Sequence, residues 1–139
     1  MSNGFAEYKS TFWTIKYPSG WIVGVHQEAV SFYEKYGVGA LQISSYSKNT
    51  EITIEDLYEL ISDEIPQSTN LNDVEVGDFT GLTTEFEYKK HFWRHWILSK
   101  RNVLLYVTYN CEFEESDVER ESIQQIINSL KIRTNYFGQ

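Results

Sequence analysis

The densest concentration of chemically versatile side chains is the run HFWRHW at residues 91–96. In an extended strand successive side chains point to opposite faces, so the even-numbered members should share one face and the odd-numbered members the other. Tryptophan and arginine are enriched where protein–protein interfaces carry most of their binding energy. The sequence therefore predicts a partner-binding surface made of six residues: Phe92, Arg94, Trp96, Trp93, His95 and Tyr88. The competing interpretation is a packed core strand from which one arginine reaches solvent.

Two histidines, His91 and His95, lie four residues apart. On a helix they would be one turn apart and could bind one metal ion, and either could act as a general base. On a strand, four residues span about 13 Å, which is too far for two ligands of one ion. An enzymatic alternative pairs either histidine with a nearby carboxylate such as Glu85 or Glu87, and it requires the base to lie within about 3 Å of the group it serves. We expect no metal and no cofactor, and this alternative is the least favoured.

Cys111 is the single cysteine, so the fold does not depend on an internal disulfide. It ends an apolar strand and precedes several carboxylates, which disfavour a reactive thiolate. We therefore predict a small buried hydrophobic side chain. The acidic stretch that follows, residues 112–121, lacks the central glycine of an EF-hand loop, and the chain has no phosphate-binding glycine motif. No catalytic constellation is identified.

A third kind of site is suggested by the aromatic character of the strands. An apolar, aromatic sheet face with a few polar groups is how small-molecule pockets are commonly built. The corresponding alternative is a small-ligand site between the sheet and a helix, lined by Trp93, His95 and Tyr106. A face filled completely by side chains would exclude it.

The charge balance excludes several partner classes. Twelve Lys and Arg against 20 Asp and Glu give a net charge of −8 and a pI near 4.8. A nucleic-acid binder needs a basic patch to meet phosphates, and anionic lipid repels an acidic surface. We therefore expect neither nucleic acid nor membrane as a partner. The N-terminus lacks the basic start and apolar run of a secretory signal, so a cytoplasmic location is expected.

Two segments have the apolar spacing of amphipathic helices, at residues 54–65 and 117–130. Thr53 with Asp56 forms a capping-box pattern for the first, and Ser116 with Glu119 forms one for the second. Pro66 should end the first helix. Both helices carry an apolar stripe that must pack on a sheet.

The remaining elements are predicted to be strands. Residues 103–109 are apolar on both faces, which indicates a sheet covered on both sides at its centre. We predict a single domain over residues 1–139, with its core at about residues 11–132, of the α+β class: an antiparallel β-sheet sandwiched by helices. The predicted strands are residues 11–17, 21–26, 29–34, 38–46, 74–79, 82–90, 92–99 and 103–111, with a tight hairpin at residues 100–102.

Four local motifs accompany this order of elements: YPSGW at 17–21, GALQIS at 39–44, VGDFTG at 76–81 and IINSLKI at 126–132. Together they resemble the PsbP-like fold, which the photosystem II extrinsic protein shares with the Mog Ran-binding proteins and several bacterial families. The resemblance covers roughly residues 13–132, and its nearest likeness is to bacterial families catalogued as domains of unknown function. It implies a PsbP-like fold and, since most characterised members are non-enzymatic binders, adaptors and assembly factors, a binding role.

The favoured hypothesis is a small cytoplasmic binding or adaptor domain without catalysis, whose partner is another protein. Edge strands of the sheet offer a second binding mode, by strand addition. The small-molecule site and the histidine enzyme are the two alternatives.

Overall fold

A computed structural model describes residues 4–27 and 29–133 as two antiparallel sheets and two helices. The strands are β1 Phe5–Lys9, β2 Trp13–Pro18, β3 Ile22–His26, β4 Ala29–Tyr33, β5 Gly39–Ser47, β6 Asn72–Val76, β7 Phe79–Tyr88, β8 His91–Lys100, β9 Val103–Glu112 and β10 Lys131–Ile132. The helices are α1 Ile54–Ser62 and α2 Arg120–Ile127, and a 3₁₀ turn at Phe113–Glu115 leads into α2.

The larger sheet has seven strands in the order β3-β4-β5-β9-β8-β7-β6, and the smaller sheet has three in the order β1-β2-β10. Every strand pairs antiparallel with its neighbours. The small sheet and α2 pack together on one face of the large sheet, which we call the core face. The other face carries α1 and is called the α1 face.

The main core fills the space on the core face. Because β8 and β9 lie at the centre of the large sheet, their core-facing side chains are buried almost completely. The bulkiest fully buried members are aromatic: Trp13 of β2, Phe32 of β4, Phe79 of β7 and Trp96 of β8. The α2 stripe of Ile123, Ile126, Ile127 and Leu130 closes this core, as its spacing predicted.

The prediction of a sheet sandwiched by helices overstates how much of each sheet face the helices cover. On the core face α2 shares the cover with a sheet of three strands, which includes the unpredicted β1 and β10. On the opposite face α1 is nine residues long and packs mainly on β7 and β8. The molecule is therefore mostly antiparallel sheet with two short helices.

The hairpin turns set the strand register. Lys89 and Lys90 both have positive φ, which is the geometry of a two-residue type I′ turn between β7 and β8. The hairpin predicted at residues 100–102 is confirmed, with Arg101 at φ 57°. A single strand over residues 74–79 is wrong, because Gly77 at φ 57° turns the chain back between β6 and β7. Glycine adopts that conformation at no steric cost, and a side chain at Gly77 would also overlap the backbone carbonyl of Leu130.

The first helix forms as predicted at its start and ends three residues early. The Thr53 side chain accepts from the Asp56 N–H, and the Asp56 carboxylate accepts from the Thr53 N–H, which completes the capping box. The described helices include none long and apolar enough to cross a membrane.

The second helix begins later than predicted, and its capping box is wrong. The Glu119 side chain makes no capping bond and turns into the core instead, where it is 5% exposed. There it accepts from the Tyr109 hydroxyl at 2.7 Å and from the Val38 N–H at 3.3 Å. A buried carboxylate needs such donors. Because the Glu119 carboxylate bonds to Tyr109 and Val38 in the core, it does not cap the start of α2.

Gly81 of β7 tests the close packing of the large sheet. A methyl group at this position would overlap the backbone carbonyl of Ile97 on β8. We expect Gly81→Ala to lower the free energy of unfolding by about 1–3 kcal/mol, measured by urea denaturation. Gly20→Ala is the matched control, since a methyl group there meets no atom within 4 Å. Equal stability of the two variants would contradict this packing.

Candidate ligand-binding cleft

The α1 face carries a polar row across four neighbouring strands. The strand register aligns Thr84 of β7 with His95 of β8, His95 with Thr108 of β9, and Thr108 with Gln42 of β5. Opposed residues in antiparallel strands lie on the same face, with Cβ atoms about 5 Å apart. Thr84 and His95 are buried, whereas Gln42 is exposed. Thr84 donates to the Asn70 carbonyl in the segment that follows α1, so hydrogen-bonding groups run from beneath that segment to open solvent.

The adjacent row changes from large apolar to small polar side chains along the same direction. It consists of Leu82, Ile97, Tyr106 and Ser44 on β7, β8, β9 and β5 in turn. Leu82 and Ile97 are fully buried, Tyr106 is half-buried, and Ser44 has too small a side chain to fill the space above it. Beyond the edge of α1, the side chains on this face of the sheet are therefore too small to fill the space beside the helix.

The position of α1 creates a cleft at this point. Leu57 and Ile61 bury their side chains against Leu82, Ile97 and Leu104. The cleft between α1 and the open part of the sheet has a volume of about 620 Å³. Six residues define its shape: Gln42, Ser44, Tyr46, Leu60, His95 and Tyr106.

A histidine–tyrosine pair forms the deepest polar part of the cleft. His95 Nδ1 lies 2.8 Å from the Tyr106 hydroxyl, diagonally across β8 and β9. Burial lowers the pKa of His95 to about 4, because the protein interior disfavours its charged form. Burial, with a smaller contribution from the Glu64 carboxylate, raises the pKa of Tyr106 above its ordinary value. Both groups are therefore neutral at pH 7 and act as fixed hydrogen-bonding groups.

The mouth of the cleft is charged. Lys48 Nζ lies 2.9 Å from Asp56 Oδ2, and both residues line the cleft. Glu59 and Glu64 line it as well, and neither forms an ion pair with another residue in the described part of the chain. Hydrogen bonding to the Thr53 N–H and to Lys48 lowers the pKa of Asp56, so that carboxylate stays ionised.

Three of the six predicted partner-binding residues point to the core face instead of the surface. Phe92 and Trp96 are buried at 7% and 0% exposure. Arg94 stacks 4.4 Å from the centre of the Trp96 ring, and its guanidinium donates to the Gln124 side chain on α2. The packed strand with one arginine near the surface is the arrangement that forms. A partner could touch Phe92 or Trp96 only if α2 moved.

The other three predicted residues lie on the α1 face, as strand alternation requires. His95 is in the cleft, whereas Trp93 packs edge-to-face on the far side of the His95 ring, at 5.7 Å between ring centres. Tyr88 lies exposed at the β7–β8 turn. The six residues therefore form no single surface, and the partner-binding role of the accessible ones stays a prediction. Of the small-ligand trio, His95 and Tyr106 come together in the cleft.

The enzymatic pairing of His91 or His95 with Glu85 or Glu87 is wrong. Glu85 is opposite Arg94 and Glu87 is opposite Phe92, which places both carboxylates on the core-face side of β7. The histidines lie on the other side of the sheet, so the groups cannot meet. Glu85 instead pairs with Arg120 at 2.7 Å. Among the residues described, no group of three or more His, Cys, Asp and Glu side chains is arranged to hold a metal ion.

Cys111 is buried, as predicted, and burial raises the pKa of its thiol. Sequence reasoning missed several lining residues of β5, of α1 and of the turn just after α1: Gln42, Ser44, Tyr46, Glu59 and Glu64. A usable signal was present in β5, whose core side is apolar at Leu41 and Ile43 and whose other side is small or polar. That alternation marks a strand with one uncovered face.

The fold is shared with solved structures of low sequence identity. No protein-family model and no curated protein matches the chain. A crystal structure from Bacteroides thetaiotaomicron superposes with a TM-score of 0.71 and 14% identity over 95% of this chain. This chain spans 49% of the length of that protein.

Two further structures place the fold in a known class. The solution structure of cyanobacterial PsbP from Synechocystis matches with a TM-score of 0.66 and 12% identity, covering 96% of this chain and 95% of that one. LpqN of Mycobacterium tuberculosis, which is involved in cell envelope biogenesis, matches with a TM-score of 0.58 and 8% identity, covering 92% and 84%. The chain has a PsbP-like fold, and the predicted resemblance is confirmed at that level.

The buried His95 predicts an acid-sensitive stability. The pKa of His95 is about 4 in the folded protein, against an ordinary value of 6.5. Between these two pH values the imidazole is therefore protonated in the unfolded state but neutral in the folded state. We expect the free energy of unfolding to fall by about 2–3 kcal/mol from this group as the pH drops from 6.5 to 4. Urea denaturation at pH 7, 6, 5 and 4 measures the loss.

His95→Gln should flatten this pH dependence. The control variant is His26→Gln, because His26 is exposed. If His95→Gln and the parent protein lost stability in parallel over this range, the assignment to His95 would be refuted.

Proposed function

We propose that this protein is a non-catalytic binding domain whose ligand is a small organic molecule held in the cleft between α1 and β5. The observation that carries the proposal is the 620 Å³ cleft with the His95–Tyr106 pair in its floor. Ligand sites are typically concave and about 300–1,000 Å³ in volume, mostly apolar with a few placed polar groups. Tyr46, Leu60 and Leu104 supply apolar surface here, and Gln42 and Thr108 supply hydrogen-bonding groups.

The electrostatics of the pair favour binding over acid–base catalysis. A general base is most effective when its pKa lies near the working pH. His95, with a pKa of about 4, stays unprotonated at neutral pH but is too weak a base to take a proton readily. Its hydrogen bond to Tyr106 holds the two side chains in fixed positions, which suits recognition of a ligand.

We favour the cleft as the binding site over the partner-binding surface that was expected at residues 91–96. Interface hot spots must be accessible to a partner, and Phe92 and Trp96 are enclosed by the core. A small ligand needs no such rearrangement, because the cleft is open in the folded chain. The cytoplasmic location expected from the sequence remains part of this proposal.

Filling the cleft tests the proposed function. We expect Ser44→Trp to place an indole in the cleft and to weaken small-fragment binding at least about tenfold. A library of aromatic fragments screened by ligand-observed NMR provides the probes, and thermal melts check that the variant is folded. The matched control is Val25→Trp, which adds the same ring to an exposed position on the opposite side of the large sheet. Fragments that bind all three proteins equally, or none that bind the parent, would contradict the proposal.

A protein partner bound by strand addition is the second candidate function. Among the described strands, β3 lies at one edge of the large sheet and pairs with β4 alone. Its sequence IVGVH has no Lys, Pro, Asp or Glu, which are the residues that usually protect edges from pairing. The opposite edge strand, β6, carries Asp73 and Glu75. The unprotected edge is the feature that favours a partner at β3.

Charge placed on this edge tests the second candidate. We expect Val25→Lys to abolish recovery of a specific partner in a native pull-down, because a buried ammonium opposes strand pairing. Val118→Lys is the control, since Val118 is equally exposed but lies beside α2. A partner retained by both variants would locate the interface elsewhere.

A further inference from the structure

The charge of the cleft selects among small ligands. Within the part of the chain that the structure describes, three carboxylates line it, those of Asp56, Glu59 and Glu64, against the single ammonium of Lys48. His95 adds no charge at neutral pH, because burial holds its pKa at about 4. The lining therefore carries a formal charge of −2, which repels anions and attracts cations.

Lys48, the one cation among the described residues of the cleft, is already engaged. Lys48 Nζ bonds to Asp56 Oδ2, and the same carboxylate accepts from the Thr53 N–H at the start of α1. An anionic ligand would have to pull Lys48 away from a partner that also caps the helix. The described lining thus offers no free positive group to a carboxylate or phosphate.

The negative groups are, by contrast, available. Within the described chain, Glu59 and Glu64 have no ion-pair partner. They flank the end of α1 at Ser62, and the last turn of that helix has no basic residue to offset its partial negative charge. Helix C-termini attract cations for this reason. The Glu64 charge also acts on the Tyr106 hydroxyl inside the cleft, where it adds to the effect of burial in raising the pKa of Tyr106.

Aromatic rings complete the set of groups that recognise a cation. Tyr46 and Tyr106 both line the cleft, and each has a ring face that can attract an ammonium within about 6 Å. Leu60 and Leu104 provide apolar surface beside them. A ligand with a positive head and an apolar body matches this distribution of groups.

We propose that the ligand of the cleft is an organic amine, bound with its ammonium between Glu59 and Glu64 and its apolar body against Tyr46 and Leu60. This inference rests on the proposed function and specifies the chemical class of the ligand. The neutral His95–Tyr106 pair then meets an uncharged hydrogen-bonding group at the inner end of the molecule.

Three probes that share a 2-phenylethyl body and differ in the head group test the charge preference: 2-phenylethylamine, 2-phenylethanol and 3-phenylpropionate. At pH 7 and low salt, we expect the amine to bind about tenfold more tightly than the alcohol, and the carboxylate most weakly of the three. Dissociation constants come from NMR titration of the parent protein. Added salt should reduce the preference, because the carboxylates at the mouth are partly exposed to solvent.

Variants assign the preference to the two carboxylates. Glu59→Gln and Glu64→Gln should each weaken amine binding about threefold or more while leaving the alcohol unchanged. Glu55→Gln is the control, because Glu55 lies in the first turn of α1 and outside the cleft lining. Equal loss of amine and alcohol, or an effect of Glu55→Gln as large as theirs, would overturn the assignment.

The outcomes separate this inference from the proposed function. Binding that Ser44→Trp blocks but that shows no preference for the amine overturns the charge inference and leaves the small-ligand function standing. Binding that Ser44→Trp does not affect, or no binding of any probe or fragment, overturns both. Amine-selective binding lost in Ser44→Trp supports both.

Discussion

The dominant constraint on this structure is the mismatch between the width of the large sheet and the helix available to cover its second face. Seven strands at about 4.8 Å spacing make a sheet about 30 Å wide, whereas a helix with its side chains is about 10 Å across. The core face is closed by α2 and the three-stranded sheet together. Among the described residues, the other face is covered by α1 and the segments beside it, which pack on β7 and β8 and reach β9 at Leu104. The remaining strands must present a face that tolerates water.

The side chains on the α1 face follow this constraint. Beneath the helix they are large and apolar, as in Leu82 and Ile97, and beyond it they become small or polar, as in Ser44 and Gln42. Tyr106 and His95 lie at the boundary between the two regions. A tyrosine hydroxyl and an imidazole suit such a boundary because one end of each side chain is apolar and the other bonds to a polar neighbour. The cleft is thus a consequence of partial cover.

The strand assignments show how far sequence reasoning reached. Alternation correctly divided residues 91–96 between two faces, but it could not say which face was exposed. Both faces of β8 are covered where the aromatic run lies: Phe92 and Trp96 enter the main core, and His95 lies buried beside Phe86 and Trp93. Aromatic density therefore marked the centre of the sheet and included His95, whereas Gln42, Tyr46 and Glu59, which also line the cleft, lie on β5 and α1, where the sequence has no such density.

By itself, the sequence determined the elements that depend on near neighbours: the Thr53–Asp56 capping box, the turn at Arg101, the alternation in β8 and β9, and the PsbP-like order of strands and helices. These follow from local hydrogen bonds and side-chain periodicity. The tertiary structure alone decided that Glu119 turns inward to Tyr109, that His95 meets Tyr106, and that α1 stops short of β5. Each of these depends on where distant segments lie when the sheet closes, and local periodicity contains no information about that distance.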